Sequence, residues 1–438
     1  METVPAALRP APAALLRASF DAALAAADPL RVVGAHLPET PPARVLVVGA
    51  GKAAASMALA VEQAWFGRCE LSGQVITRYG HGLPTRAIGV VEAGHPVPDA
   101  AGAAAAAAML DAVRALAADD LLVVLISGGG SSLMSLPAPG LDMADLQALN
   151  RVLLASGAPI QDMNVVRKHV SAIAGGRLAA ATPARVLALI ISDVTGDAAS
   201  AIASGPCAPD PSTYADALAI AGHYALSLPA PVRAHLERGA RGEVDETPKP
   251  GSAVFARVEN RIIAAAHASL DAAVSHFRQH GVNAINLGDS VTGEAREVAR
   301  VYAALVREIR AHGTPWPTPV ALLSGGETTV TLPADAGGRG RARGGRCSEF
   351  LLSLALELAG MPGVHALACD TDGIDGSEDN AGALLRPDSM AVAAARGVVA
   401  RDCLAGHDAW GFFAACDGLI VTGPTRTNVN DYRAILVE

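Results

Sequence analysis

The sequence lacks the patterns that would assign it directly to several protein classes. Its six cysteines form no CxxC pair and no Cys/His metal-ligand spacing, which favours reduced thiols over a zinc framework or a disulfide scaffold. It has no charge-free, strongly apolar run of about 18 residues, so we expect no membrane-spanning helix. The N-terminus shows no apolar segment with a basic flank, and we therefore expect a cytoplasmic protein without a signal peptide.

An excess of basic residues is also missing. The formal net charge is −9, which argues against a nucleic-acid partner because such partners select basic surfaces. An anionic small-molecule substrate remains compatible, since local cations decide its binding. With 438 residues, of which 51% are hydrophobic, the chain is long enough for two or three domains with large buried cores.

A repeated unit organises the first half of the chain: a continuous apolar run, a Gly-rich turn and an Ala-rich stretch. Such runs occur at 43–65, 120–133 and 184–197. Continuous rather than alternating apolar residues are typical of strands buried on both faces, so we predict a mainly parallel, Rossmann-like sheet between helix layers. Ligands of such sheets bind outside the carboxyl ends of the strands.

A polar, proline-containing segment at 239–252 predicts a linker. We therefore predict two α/β domains, an N-terminal Rossmann-like domain at 1–250 and a second α/β domain at 251–438. In the second domain, strands are expected within 260–281, 319–332, 364–376 and 418–438. The Gly- and Arg-rich segment 333–347 predicts a mobile loop.

The first Gly-rich turn reads GAGKAA at 49–54. Gly49, Gly51 and Ala54 fit the dinucleotide pattern G-x-G-x-x-G/A, but no acid ends the next strand to bind a ribose. The Walker A spacing is also absent. Lys52 at the start of a helix predicts an amine held near a phosphate or a carboxylate.

The second turn reads SGGGSSL and follows the apolar run LLVVLI. Successive backbone N–H groups in such a turn form a concave anion site, glycines allow close approach, and serine hydroxyls add donors. A following helix would contribute its dipole. The predicted phosphate- or substrate-binding residues are Ser127, Gly128, Gly129, Gly130, Ser131 and Ser132.

Two further stretches of the first half carry charge. A helix predicted to start at Asn164 places Arg167 and Lys168 in its first turn, where an anionic ligand would compensate them, with His169 on a solvated face. Downstream of the run 184–191, Asp193 and Asp197 suit magnesium binding or activation of a hydroxyl group. Ser204 and Gly205 add a further anion contact.

The second half adds charged residues after its own strands. Glu327, a predicted substrate- or phosphate-binding residue, follows a Gly-rich turn, and Arg346 lies in GGRCSEF together with Glu349. Asp370, Asp372 and Asp375 lie in DTDGIDG, whose spacing does not match the calcium-binding EF-hand loop, because Ile374 takes a ligand position. A loosely hydrated magnesium ion fits these acids better than calcium. A dense hydroxyl and amide loop, TGPTRTNVND, closes the pattern at 422–431.

Taken together and in this order, these stretches resemble the type-2 glycerate kinases, also known as the tartrate-utilisation or MOFRL family. The matching stretches run from residue 45 to 431. The chain departs from the family pattern in having Cys347 and Ser348 where many relatives have Asn-Gln, and Ala198 where many have a second Asp. Some relatives are called hydroxypyruvate reductases.

The resemblance implies two α/β domains with the active site in the cleft between them. It implies ATP- and Mg²⁺-dependent phosphorylation of D-glycerate to 2-phosphoglycerate, with glycerate and ATP as partners and a homodimer as a possible assembly. Lys52 and Arg346 match the family's proposed catalytic positions, and both would stabilise charge on the γ-phosphoryl group. As a hypothesis, Asp193 accepts or orients the proton of the 2-hydroxyl, while Asp197 and the acids at 370, 372 and 375 hold Mg²⁺.

Two other functions stay open at this point. An NAD(P)H-dependent hydroxypyruvate reductase would use GAGKAA, although the ribose-binding acid is missing. A non-catalytic sugar-acid or sugar-phosphate binding protein would use the Gly-rich turns, but it leaves the many carboxylates at strand ends unexplained.

Overall fold

A computed structural model describes residues 10–332 and 342–438, and these residues form two six-stranded sheets, a small two-stranded sheet and the helices around them. The strands are β1 (Arg44–Ala50), β2 (Glu70–Arg78), β3 (Ile88–Ala93), β4 (Leu121–Ile126), β5 (Arg185–Ile191), β6 (Val258–Ala264), β7 (Asn283–Asn286), β8 (Thr292–Glu294), β9 (Val320–Ser324), β10 (Glu327–Thr329), β11 (Val364–Asp370), β12 (Gly382–Leu385), β13 (Leu419–Ile420) and β14 (Asp431–Val437).

The helices of the described residues are α1 (Pro12–Ala26), α2 (Pro29–Val32), α3 (Ala54–Trp65), α4 (Ala100–Arg114), α5 (Gly130–Leu133), α6 (Met143–Ala155), α7 (Ile160–His169), α8 (Arg177–Ala180), α9 (Tyr214–His223), α10 (Ala230–Ala240), α11 (Ala266–Gln279), α12 (Ala295–His312), α13 (Arg346–Leu358), α14 (Ser389–Ala395), α15 (Ala400–Ala405) and α16 (Ala409–Ala415). None of these helices is long and apolar enough to cross a membrane. All six cysteines are free thiols, as expected.

The first sheet has the strand order β3-β2-β1-β4-β5-β6, with parallel pairing from β3 through β5. Strand β4 is buried along its whole length, as its continuous apolar run predicts. This order is that of a Rossmann-like sheet, in which the chain reverses its direction of growth between β1 and β4. The predicted fold class is thereby confirmed, and the switch point falls where the two Gly-rich turns follow their strands.

The second sheet has the order β13-β12-β11-β14-β9-β7, and only its β7–β9 pair is parallel among the pairings described. Helices α12 and α13 pack together in one core, with Tyr302 edge-on to Phe350 at a centroid distance of 5.5 Å. Antiparallel pairing of β11 with β14 sets Asp370 directly opposite Asp431. This register brings two carboxylates together at the end of β11.

The chain divides into two compact units, Pro29–Ile263 and a second unit that joins the N-terminal residues through Asp28 to Ala264–Glu438. Helix α1 packs Leu16 and Phe20 into the core that holds Phe277 of α11, and Ser19 Oγ lies 2.7 Å from the Tyr432 hydroxyl. The observed division differs from the predicted segments 1–250 and 251–438, because the chain continues past the polar 239–252 segment into β6 at the edge of the first sheet. The predicted cleft between the domains stays a prediction.

Candidate functional site

The turns after β1 and β4 are tied to each other by hydrogen bonds. The Lys52 N–H donates to the Gly128 carbonyl at 2.9 Å, and the Ala53 N–H donates to Ser127 Oγ at 3.0 Å. A Cβ on Gly51, whose φ is +141°, would lie 2.1 Å from Ser127 Oγ. Ser127 therefore serves to join the turns, and Gly51 is needed for their contact. This contact accounts for part of the GAGKAA pattern without a dinucleotide.

The turn at 128–132 is built by its own backbone. Gly129 has φ +83°, and the Gly130 N–H donates to the Ser127 carbonyl at 3.2 Å. Ser132 Oγ donates to the Gly129 carbonyl at 3.1 Å. Helix α5, which follows, is only four residues long, so it adds little of the predicted dipole. An anion here would be held by backbone N–H groups, hydroxyls and nearby cations.

A left-handed segment lies beside this turn. Ala203, Ser204 and Gly205 have φ values of +49°, +58° and +61°. Each non-glycine residue in this conformation costs about 1–3 kcal/mol, and such segments cluster at functional sites. Ser204 Oγ lies 2.9 Å from Ser131 Oγ. The predicted pair of Ser204 and the 127–132 turn is thus brought together.

Two backbone hydrogen bonds hold the left-handed segment in place. The Gly175 N–H donates to the Ser204 carbonyl at 2.9 Å, and the Gly176 N–H donates to the Gly205 carbonyl at 2.7 Å. A Cβ on Gly175 would approach Thr247 Cγ2 to 2.9 Å. The residues that pack against the Gly175 turn therefore also support Ser204.

Lys168 belongs to this supporting layer. Its Nζ lies 3.4 Å from Asp210 Oδ1, and the side chains are 9% and 1% exposed. Asp210 also accepts hydrogen bonds from Ser212 Oγ at 2.7 Å and Thr247 Oγ1 at 3.1 Å. Burial alone would raise the pKa of Asp210, but the Ser212 hydrogen bonds and the Lys168 charge outweigh burial and lower it. The Lys168 ammonium is thus engaged by a buried carboxylate.

The cationic helix differs from its prediction. Helix α7 begins at Ile160, not Asn164, so Arg167 and Lys168 lie in its last turn, where the dipole favours cations. The helix start was predicted too late because residues 160–163 lack the basic residues on which the prediction at Asn164 was based. His169, expected to be solvated, is instead fully buried, and burial lowers its pKa.

Arg167 and Asn164 lie next to each other on α7. Arg167 Nε donates to Asn150 Oδ1 at 3.0 Å, and its Nη1 donates to Asn164 Oδ1 at 3.4 Å. Burial lowers the pKa of Arg167. Within residues 10–332 and 342–438, the side-chain partners of this guanidinium are the amides of Asn150 and Asn164. Its predicted binding role, with that of Asn164, stays a prediction.

Asp193 and Asp197 follow β5, next to β4 in the sheet. Both are partly buried, and Asp197 adopts a left-handed φ of +52°. Parallel strands end at one edge of a sheet, so these acids lie on the same edge as the Gly-rich turns. Their predicted roles stay predictions.

In the second unit, Arg346 lies among three carboxylates. Its Nη1 contacts Glu327 at 2.7 Å, Nη2 contacts Asp370 at 2.8 Å, and Nε contacts Asp431 at 2.7 Å. Burial alone would lower the pKa of Arg346, but the charges of Asp431, Asp370 and Glu327 outweigh burial and raise it. Arg346 neutralises the pair of acids that the β11–β14 register sets opposite each other.

Asp431 and Arg433 complete this cluster, and the sequence analysis missed both. Arg433 is fully buried and donates to the Gly325 carbonyl at 2.7 Å and to Asp431 Oδ2 at 2.5 Å. Asp431 lies in the TGPTRTNVND stretch, which was noted only as a hydroxyl and amide loop. An aspartate at the start of a predicted terminal strand is the signal that could have identified it.

Asp372 and Asp375 both accept backbone N–H groups. Asp375 accepts the N–H groups of Cys347 at 2.9 Å and Ser348 at 2.8 Å, at the first turn of α13, and its burial raises its pKa. Asp372 accepts the Ile374 N–H at 2.9 Å. Both oxygens of Asp375 thus stabilise the helix start. The contacts of Asp375 favour a structural role over the predicted metal ligand.

The described residues contain no cluster of three or more His, Cys, Asp or Glu side chains that could hold a metal ion. Mg²⁺ commonly uses one or two carboxylates together with substrate phosphates and water. Asp370 ends β11 in one unit, and Asp193 and Asp197 follow β5 in the other, so each unit offers one or two carboxylates that suit this pattern. A magnesium ion that arrives with its nucleotide therefore fits the donors present.

The comparisons with known proteins agree with this architecture. Residues 15–237 match a family described as a domain of unknown function, DUF4147, and residues 320–431 match the MOFRL family. A D-glycerate 2-kinase of Thermotoga maritima is 37% identical over 92% of this chain and 93% of its own length. A crystal structure of glycerate kinase from the same organism has a TM-score of 0.85 at 36% identity and covers 97% of this chain and 99% of that chain. A putative hydroxypyruvate reductase of Agrobacterium vitis is 51% identical over 97% of this chain and 94% of its own length.

Proposed function

This chain belongs to the type-2 glycerate kinase family, and we propose that it catalyses the ATP- and Mg²⁺-dependent phosphorylation of D-glycerate to 2-phosphoglycerate. The observation that carries the proposal is the joined pair of turns at the β1–β4 switch point, with Lys52 at its edge. Relatives named as glycerate 2-kinases support the choice of acceptor.

The turns would bind one anionic group of the substrates. The N–H groups of Gly128 and Gly129 and the hydroxyl of Ser131 suit a phosphate or a carboxylate, whereas the Gly130 N–H and the Ser132 hydroxyl stabilise the turn itself. Lys52 follows the β1 turn, and its backbone N–H holds the Gly128 carbonyl at 2.9 Å, so its side chain starts beside the anion site. In the reaction its ammonium stabilises charge on the transferring phosphoryl group.

Asp193 takes the role of orienting the acceptor. A carboxylate that follows β5 lies on the edge where the turns lie, and it would accept the hydrogen bond of the glycerate 2-hydroxyl. Phosphoryl transfer depends more on position than on covalent chemistry, so alignment of this hydroxyl is the main contribution expected of Asp193.

Arg346 would act on the phosphoryl group, as the resemblance implies. In the structure its guanidinium is neutralised by Glu327, Asp370 and Asp431. A phosphate would have to compete with these acids, or add to the shell at the exposed quarter of the side chain. When bound with ATP, Mg²⁺ supplies neutralisation of the phosphate charge. Asp193 and Asp197 in one unit, or Asp370 in the other, are the residues that would hold it.

A hydroxypyruvate reductase is the second candidate, because the Agrobacterium vitis relative carries that name. Strand β2 ends in Arg78, where NAD-binding sheets commonly carry an acid. An arginine near that position suits NADPH better than NADH, so both reductants belong in the test.

The deciding experiment measures two products with one preparation. The protein is supplied with D-glycerate, ATP and Mg²⁺, and ADP release is followed; separately it receives hydroxypyruvate with NADH or NADPH, and reductant oxidation is followed. We expect ADP release that depends on glycerate, and no reductant oxidation. Oxidation of NADH or NADPH without ADP release would contradict the proposal.

A further inference from the structure

The segment after β3 holds a histidine that the sequence analysis did not use. Asp99 accepts the Gly94 N–H at 2.9 Å and the Tyr79 hydroxyl at 2.7 Å, and through its other oxygen it accepts the Gly102 N–H at 2.9 Å. These bonds fix both ends of the segment 94–99 to the start of α4 and the end of β2. His95 therefore projects from a backbone that is anchored on each side.

The His95 ring lies against Gly129. A Cβ on residue 129 would lie 2.9 Å from His95 Cδ2 and 2.9 Å from His95 Nε2. Gly129 also has φ +83°, a conformation that other residues rarely adopt. Glycine is thus required at this position for two independent reasons, and one of them is the histidine.

The His95 ring reaches a turn that belongs to a distant strand of the sheet. Strands β2 and β1 lie between β3 and β4 in the sheet order, yet His95 reaches the turn that follows β4. The same turn receives the Lys52 backbone N–H from the end of β1, at 2.9 Å from the Gly128 carbonyl. Lys52, after β1, and His95, after β3, therefore both contact the same three-glycine turn, Lys52 through its backbone N–H and His95 through its ring.

A structural role alone explains this arrangement less well. Asp99 closes the segment 94–99 by accepting the Gly94 and Gly102 N–H groups. His95 is only partly buried, so its ring contributes less to a core than a fully buried apolar side chain would. A ring nitrogen beside a Gly-rich turn is instead well placed to add a hydrogen-bond donor for a ligand of that turn.

We propose that His95 is a further substrate-binding residue, whose ring N–H donates a hydrogen bond to the anionic oxygen held by the 128–130 turn. The inference rests on the proposed function, because it assigns a ligand to that same turn. The shared chemistry is an anionic oxygen, which belongs either to a phosphate of ATP or to the carboxylate of glycerate.

The test is steady-state kinetics of the full chain with ATP and D-glycerate varied separately. We expect His95→Ala to raise the KM for one of the two substrates by about 10- to 100-fold, the loss expected for a hydrogen bond to a charged group. The substrate whose KM rises identifies the anion. His95→Gln, whose amide can donate in place of the ring N–H, is expected to recover most of the loss.

His223→Ala is the matched control, because His223 is an exposed histidine of α9 in the same unit. Its kinetics should equal those of the wild type. Urea unfolding of each variant separates a loss of folded protein from a loss of affinity, and His95→Gln keeps the test decisive if His95→Ala is unstable.

Unchanged KM values for both substrates in His95→Ala, or a fall in kcat alone, would overturn the inference. Wild-type ADP release reports on the proposed function separately. If the wild type releases no ADP, calorimetric titration with inorganic phosphate replaces the kinetics: weaker binding to His95→Ala supports the inference, whereas equal binding, or no binding to the wild type, overturns it.

Discussion

The two strand-end regions of the molecule differ in the polar groups that they bring together. At the β1–β4 switch point, two Gly-rich turns are joined by backbone hydrogen bonds and the Ser127 hydroxyl, with Lys52 beside them. At the end of β11, Arg346 lies among three carboxylates and already has its counter-ions. We propose that the first region binds an anion directly, whereas in the second an anion has to compete with the three acids or add at the exposed part of Arg346.

This difference separates residues that need a ligand from residues that need their neighbours. Fixed backbone donors require no reorganisation when an anion arrives, so they favour binding and catalysis. A guanidinium held by three acids stabilises the fold whether or not a ligand is present. Substitutions in the two regions should therefore divide differently between activity and stability.

The largest effect is expected at Lys52. Lys52→Met removes the ammonium but keeps most of the aliphatic stem, so kcat should fall by about a thousandfold or more while the unfolding midpoint stays close to that of the wild type. The ADP-release assay and urea unfolding check this. Lys249→Met is the comparison: Lys249 pairs with Glu246 at 3.0 Å and donates to Thr247 of the Asp210 network at 2.8 Å, so its loss should lower stability more than turnover. Near-normal turnover of Lys52→Met would show that the anion site does not use this amine.

Arg346 should show the mixed behaviour of an ion cluster. Arg346→Lys keeps the charge but cannot contact three acids at once, and we expect kcat to fall by about 100-fold with a modest loss of stability. Arg346→Ala leaves Asp370 opposite Asp431, and we expect a loss of about 2–3 kcal/mol of unfolding free energy, reduced from a fully buried pair by the partial exposure of the side chain.

Arg396→Lys is the control for this cluster, because Arg396 also contacts an acid, Asp417 at 2.6 Å, but at an exposed site. It should leave both turnover and unfolding unchanged. Loss of activity in Arg346→Lys without any loss of stability in Arg346→Ala would mean that the cluster does not serve the fold.

A smaller effect is expected at Gly129. Gly129→Ala meets both an unfavourable φ of +83° and the His95 ring, so we expect kcat/KM to fall by about tenfold. Gly140→Ala is the matched control, because Gly140 has φ +90° with nothing within 4 Å of its Cβ position. Equal kinetics of the two variants would show that the contact with His95 has no functional weight.

The smallest effect on turnover is expected at Asp210, which supports the Gly175 turn and Ser204 through Thr247. Asp210→Asn breaks the buried pair with Lys168 and should cost about 3 kcal/mol of unfolding free energy at pH 7. The folded-state pKa of Asp210 is lowered, so its contribution is present above its unfolded pKa of about 3.9 and is lost as pH falls through the folded value.

The stability difference between the wild type and Asp210→Asn should therefore be largest near neutral pH and shrink as pH falls below about 4. Urea unfolding at a series of pH values measures it, with the exposed Asp119→Asn as control. A difference that does not change with pH would mean that the ionised carboxylate is not what stabilises the fold.

The sequence predicted the parts of the molecule that follow from local pattern. Continuous apolar runs identified β1, β4 and β5, and their Gly-rich ends identified the edge of the sheet where the turns meet. The ordered set of motifs identified the family, which the comparisons confirm. Local pattern suffices here because each strand and its turn are contiguous in the chain.

What the sequence missed depends on contacts between distant residues. The partners of Lys168 and Arg346, Asp210 and Asp431, are separated from them by 42 and 85 positions. The association of α1 with α11 likewise depends on apolar faces far apart in the chain. The start of α7 was placed late because charge was taken as the mark of a first turn, whereas these cations lie in the last one.

The most direct test of the central claim, phosphoryl transfer to the 2-hydroxyl of glycerate, is ³¹P NMR of the product made by the wild-type protein from D-glycerate, ATP and Mg²⁺. A phosphate on carbon 2 couples to the single proton of that carbon, so we predict a phosphomonoester doublet. A triplet, from coupling to the two protons of carbon 3, would contradict the assigned acceptor, and the absence of any new phosphomonoester alongside ADP would contradict glycerate phosphorylation itself.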